Sequence, residues 1–152
     1  MAGFNHWPQI AAALKPGVQR AVTNTAKAIG GLASDGAPKL TGWMADNVYT
    51  VTPLEGSTYG QAGAPPGPSS AYLLPEQTPP DDMSAVVGAA ANYSVYVEEG
   101  HHTTNGGYVP ANPWFFPAVE QGRGILDAEL KAVSSELEGS VSGMAVLGGA
   151  TL

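Results

Sequence analysis

Glu98-Glu99-Gly100-His101-His102 is the densest run of potential metal ligands in the chain. Carboxylate oxygens and imidazole nitrogens together suit zinc or manganese, and an ion held there could serve a hydrolase. Neighbouring histidines on a loop do not converge on one ion unaided, and the one remaining histidine is His6. The expectation is an exposed polar loop, with a metal-dependent hydrolase using the Glu98–His102 cluster as the reading from a different class. A nucleophile and base can be assembled on paper from Ser94, His101 and Asp127, but no G-x-S-x-G elbow accompanies them. Neither a G-x-x-x-x-G-K-[ST] phosphate loop nor a G-x-G-x-x-G fingerprint occurs. We therefore expect no enzyme activity, no catalytic or metal-binding residue and no cofactor.

Trp114-Phe115-Phe116, bracketed by Pro113 and Pro117, is more informative. Three consecutive aromatics cannot share one helix face. One or two are expected in the core and another against a partner, where aromatics are enriched.

The elements that must position these residues follow from periodicity. Val18, Val22, Thr25, Ile29 and Leu32 recur at helical spacing, which predicts a helix from Pro16 to Leu32, with Arg20, Asn24 and Lys27 off its apolar stripe. A shorter turn over 8–14 is expected before it, with Trp7 packed on the body. Thr41 is a candidate N-cap for a short turn over 41–46. Residues 47–52 alternate, Val48 and Thr50 on one side and Tyr49 and Val51 on the other, which predicts a strand. Between 54 and 82 stand Pro65, Pro66, Pro68, Pro75, Pro79 and Pro80, so a long loop or arm is expected, with Tyr59, Tyr72, Leu73 and Leu74 as anchors to a neighbour. Ser84–Ala91 predicts a small-residue strand. Over 93–97 helix and strand spacing fit equally. Gly100–Val109 reads as a loop, and a last helix opens at Pro113 or Pro117 with Leu126, Leu130, Val133 and Leu137 as its stripe. Gly122 and Gly124 each weaken that helix by about 1 kcal/mol relative to alanine. The fold class is therefore α+β: a small antiparallel sheet packed by a long N-terminal helix and a C-terminal helix. One domain over 1–138 includes the 54–82 arm, and 139–152 is a flexible or partner-docked tail.

The chain has 152 residues, 13 acidic and 6 basic, for a formal charge of −7. That balance argues against binding nucleic acid by neutralising phosphates. Four bases against one acid stand in residues 1–40, which suggests a basic end beside an acidic flank. No cysteine is present, so disulfides and thiolate chemistry are excluded. No run nears the roughly 18 apolar residues of a membrane span. No signal peptide is recognisable either, and a soluble intracellular protein is expected.

Three segments, in order, resemble one family. Ala37-Pro-Lys-Leu-Thr-Gly-Trp-Met-Ala-Asp-Asn-Val is similar to a "P-x-x-T-G-x-L-x-x-S-I" turn into a first strand. Asn92-Tyr-Ser-Val-Tyr-Val-Glu-Glu-Gly resembles "Y-A-x-Y-V-E-x-G-T", and Ala111-Asn-Pro-Trp-Phe-Phe-Pro-Ala-Val-Glu resembles "A-x-P-F-L-x-P-A-L". The family is the tail-completion, or head–tail joining, proteins of long-tailed phages (the gene-ten-like minor tail components), and the likeness spans residues 16–138. Met44, Asn47 and His101 depart from the pattern, and the Pro-rich segment exceeds the family's usual connection.

The resemblance implies a structural protein of the virion neck, assembled in the host cytoplasm, that completes the tail and joins it to the head. It implies a homo-oligomeric ring, a hexamer, around the DNA channel, docked on head–tail connector and tail-terminator or tail-tube proteins. DNA would pass without specific binding, helped by like-charge repulsion from acidic groups. A tail-terminator or head-closure ring is the alternative within assembly, and a host-directed binding module a third reading. No membrane partner is implied. The expected interface residues are Tyr59, Tyr72, Leu73, Leu74, Glu98, Trp114, Phe115 and Phe116.

Overall fold

A computed structural model describes residues 7–38, 42–60 and 73–148. The α+β class holds: a long N-terminal helix, a small antiparallel sheet and a C-terminal helix packed on the first. The elements are α1 (Trp7–Gly36), α2 (Trp43–Asp46), β1 (Val48–Thr52), β2 (Gly56–Tyr59), β3 (Val86–Ala89), α3 (Ser94–Glu99), β4 (His101–His102), β5 (Tyr108–Val109) and α4 (Phe115–Gly148).

Helix α1 starts earlier than its sequence predicts, and Pro16 lies inside it. Proline there removes one backbone bond to the carbonyl of Ala12. That carbonyl belongs to an exposed residue, where water can replace the donor, and Ala11-Ala12-Ala13-Leu14 are strong helix formers. Trp7, expected against the body, is 74% exposed. The predicted stripe does face inward, within a wider buried band that includes Gly17, Ala21, Ala26, Gly30 and Ala33. Arg20, Asn24 and Lys27 stay outside it and bind Glu136, Glu129 and Glu55, while Lys15 pairs with Asp82. These partners all come from the acidic remainder of the chain. The expected basic end is therefore not formed by the described residues, because folding lays each of these bases against an acid.

Helix α4 runs antiparallel to α1. Gly17 abuts Val133, Ile29 abuts Gly122, and Gly36 abuts Trp114, so sequence order reverses along the contact. The glycines set how close the helices come. A Cβ on Gly17 would lie 2.6 Å from Val133 Cγ1, and one on Gly122 would lie 2.3 Å from Ile29 Cδ1. Gly124, by contrast, faces open space. Gly124→Ala is thus expected to raise stability by about 0.5–1 kcal/mol through helix propensity. Gly122→Ala should lose that gain and lower stability by about 1 kcal/mol, since the buried contact must open. Urea unfolding of the two variants checks the opposite signs.

In the sheet, β1 is central, paired antiparallel with β2 on one side and β3 on the other. Thr50 meets Gly30 of α1, and the Val48/Thr50 and Tyr49/Val51 alternation predicted for β1 is present. Strand β2 was not expected within the arm. Gly56, at φ +69°, closes a tight connection after Pro53-Leu54-Glu55 and lets Gly56-Ser-Thr-Tyr59 return along β1.

Alanines are prominent in the core, packed around Trp114, Met44 and Val48. Ala33, Ala37, Met44, Val48, Ala91, Trp114 and Ala118 form one buried cluster joining α1, α2, the sheet and the start of α4. Of the polar groups beside it, Ser34 donates to the Ala45 carbonyl at 3.0 Å and the Asn47 amide NH₂ donates to the Trp43 carbonyl at 2.7 Å, while Asn47 Oδ1 and Trp114 Nε1 are buried without a hydrogen-bond partner. The candidate cap Thr41 lies outside the described residues, and Gly42, in a left-handed conformation, precedes α2. Two further boundaries differ from expectation. Within 100–109, β4 and β5 make a small hairpin rather than a loop. Beyond Glu138, α4 continues as helix to Gly148, and Leu130 of its stripe is exposed.

Candidate functional site

The chemistry-bearing segment ends α3 and turns back on itself. Gly100, at φ +77°, follows the helix, and a Cβ there would meet the Ala111 nitrogen at 2.7 Å and the Val109 carbonyl at 2.8 Å. Only glycine permits that fold-back, which the β4–β5 hairpin completes and the Asn112 N–H ties down by donating to the Val97 carbonyl. As a result the end of α3 lies beside the beginning of α4.

Glu98 exploits this placement. Its Oε2 accepts backbone N–H bonds from Trp114 at 2.8 Å and Phe115 at 2.9 Å, and its Oε1 accepts one from Phe116 at 3.0 Å. A helix leaves its first four N–H groups without internal partners. Here the fourth position is Pro117, which has no N–H, so one carboxylate and one proline account for the entire helix start. Negative charge at this end also suits the helix dipole. Burial pushes the Glu98 carboxyl up, but the three N–H bonds outweigh it and hold the group below its ordinary range.

Glu98 therefore faces inward, not toward a channel or neighbour, and both its oxygens are engaged. The histidines do not join it. His101 and His102 are successive strand residues and point to opposite sides. His101 stands edge-on to Tyr96, with Nδ1 3.2 Å from the Tyr96 carbonyl, and His102 leans on Tyr108 with centroids 5.1 Å apart. Among the described residues no group of three or more His, Cys, Asp or Glu side chains could hold a metal ion.

The three aromatics separate as their spacing requires. Trp114 is buried, Phe115 is half-buried and T-shaped against it, and Phe116 is 63% exposed. The expected anchors of the arm turn out to hold it to its own chain. Leu73 bridges to Ala91, and the Leu74 N–H donates to the Ala90 carbonyl at 2.7 Å, although the Leu74 side chain is 52% exposed. Tyr59 packs on Tyr49, and burial together with Glu76 pushes its hydroxyl above the usual tyrosine range. Tyr72 lies outside the described residues. The arm covers the sheet face opposite α1, where the Gln77 N–H donates to Tyr49 Oη at 3.0 Å and Ser57 donates to Glu76 at 2.7 Å.

What these parts leave open is a cleft of about 240 Å³. One wall is β3, at Val87 and Ala89. The other is Val95 and Glu99 of α3 with Phe115 and Phe116 of α4. Its lining is mostly apolar with Glu99 exposed at the rim. The sequence reading noticed Phe116 but missed the cleft and the Glu98 clamp. A glutamate two residues before a helix-ending glycine, followed by proline in the next helix's first turn, was the signal available. Compared with known protein families, curated proteins and solved structures, the chain matches none of them.

Proposed function

We propose that this protein is a non-enzymatic structural component of the phage neck, which completes the tail and joins it to the head as part of a homo-oligomeric ring. One observation carries the reading. The three segments that resemble tail-completion proteins lie far apart in the chain yet meet in one packed unit. Ala37, Met44, Ala45 and Val48 come from the first, Tyr93 and Val97 from the second, and Trp114, Phe115 and Ala118 from the third. The Glu98 carboxylate then ties the second to the third. Motifs that specify a common fold are expected to converge on a single core in this way.

In this role the protein works by docking. Exposed apolar groups such as Phe116 and Val95 on an acidic body supply contact surface, while the negative charge keeps passing DNA from adhering. Electron microscopy of particles made with and without the protein tests the proposal. The expected result is a ring at the head–tail junction that disappears on deletion, together with loss of joined tails. Normal particles lacking such density would overturn it.

A further inference from the structure

The register of the sheet determines which backbone groups of β3 are spent and which are free. The Ala90 N–H donates to the Asn47 carbonyl, so the pairs Asn47–Ala90, Tyr49–Gly88 and Val51–Val86 carry the bonds to β1. Val87 and Ala89 direct their N–H and C=O groups the other way, out of the sheet. That edge borders the cleft. Exposed edges are normally blunted by lysine, proline or a bulge. The edge Val86-Val-Gly-Ala89 contains no lysine and no proline.

We infer that the cleft is a strand-addition site, which takes an extended, basic and apolar segment of a partner protein as a fourth strand beside β3. The main-chain groups of Val87 and Ala89 would pair with it, and alternate apolar side chains would reach Val95, Phe115 and Phe116. The far wall favours a single extended segment over a folded sheet edge. A sheet edge brings its own neighbouring strand, which α3 and the start of α4 would obstruct. Charge points to a cationic partner rather than a second copy. Each copy carries −7, Glu99 is exposed on the rim, and Lys15, Arg20, Lys27 and Lys131 are already ion-paired. The inference does not depend on where in a particle, or whether in one, the protein works.

The full chain, isotope-labelled for amide exchange, is titrated with a capped octapeptide of alternating lysine and valine. A glutamate–valine octapeptide serves as the charge control. The lysine peptide should slow exchange at the Val87 and Ala89 amides at least tenfold, leave Gly88 unchanged, and bind at least tenfold more tightly than the glutamate peptide. Glu99→Lys should reverse that preference. Ala89→Pro should abolish binding without unfolding, because the N–H it removes bonds nothing within the chain, and the exchange result on unmodified protein stands even if this variant misfolds. Unchanged exchange at Val87 and Ala89, or equal binding of both peptides, overturns the inference. So does edge protection without peptide that rises with protein concentration, which would make a second copy the occupant.

Discussion

Glu98→Ala is expected to destabilise the protein by about 3 kcal/mol, lowering the melting temperature by roughly 6–12 °C for a chain of this size. The estimate rests on the three N–H groups that the carboxylate satisfies and on its burial, with only 8% of the residue exposed. An ordinary N-cap loses about 0.5–2 kcal/mol on truncation, and it serves one such donor where Glu98 serves three. Glu98→Gln keeps the shape but replaces one acceptor with an NH₂ group that must face a donor, so a loss of about 2 kcal/mol is expected. Acid should erase the difference. The folded carboxyl lies below its ordinary value of 4.5, so its stabilisation is complete above that pH and is lost as pH falls through the depressed folded value. Wild type and Glu98→Gln should thus converge in stability only once the pH has fallen below that depressed folded value. Glu99→Gln, altering an exposed neighbour, should stay within about 0.5 kcal/mol of wild type at every pH. Urea unfolding across a pH series measures all three. If Glu98→Ala melted with the wild type, the carboxylate clamp would not be what holds α3 to α4.

The contrast between Glu98 and β1 shows what a sequence can disclose. Strand β1 was readable because a central strand covered on both faces takes a continuous run of β-branched and aromatic residues, here Val48-Tyr-Thr-Val-Thr52. The stripe of α1 was readable because only one of its faces is covered, although its N-terminal extension was not, since proline inside a surface helix is disfavoured but tolerated where water can take over. Strand β2 and the β4–β5 hairpin are short and polar, and their pairing depends on partners rather than on pattern. The Glu98 clamp was less visible still. Its acceptor and donors stand 16 to 18 residues apart and meet only because Gly100 lets the chain double back. The cleft depends on register, since shifting β3 by one residue would turn Val87 and Ala89 inward toward β1.

Gly88→Ala is the second large effect to expect, at about 2–3 kcal/mol. In β3 this residue sits directly opposite Tyr49, and a Cβ there would lie 2.5 Å from Tyr49 Cζ and Oη. The ring lies across the glycine, an arrangement that shields backbone a side chain would otherwise cover. It cannot simply slide away, because Tyr59 stands 5.9 Å off on its other side. Displacing a ring only 4% exposed is overpacking, which costs about 1–3 kcal/mol, and the Gln77 N–H bond to Tyr49 Oη is lost with it. Alanine's smaller backbone entropy cost returns roughly 0.5–1 kcal/mol of this. Because Tyr49 also fastens the arm, Gly88→Ala should speed proteolytic cleavage within 73–82 before the sheet unfolds. A double-mutant cycle separates this explanation from general sheet damage. With the ring removed by Tyr49→Ala, the added methyl has nothing to strike, and Gly88→Ala should then be neutral or stabilising by about 0.5 kcal/mol. Equal losses in both backgrounds would mean that the glycine is needed for its own backbone and not for the tyrosine that lies over it.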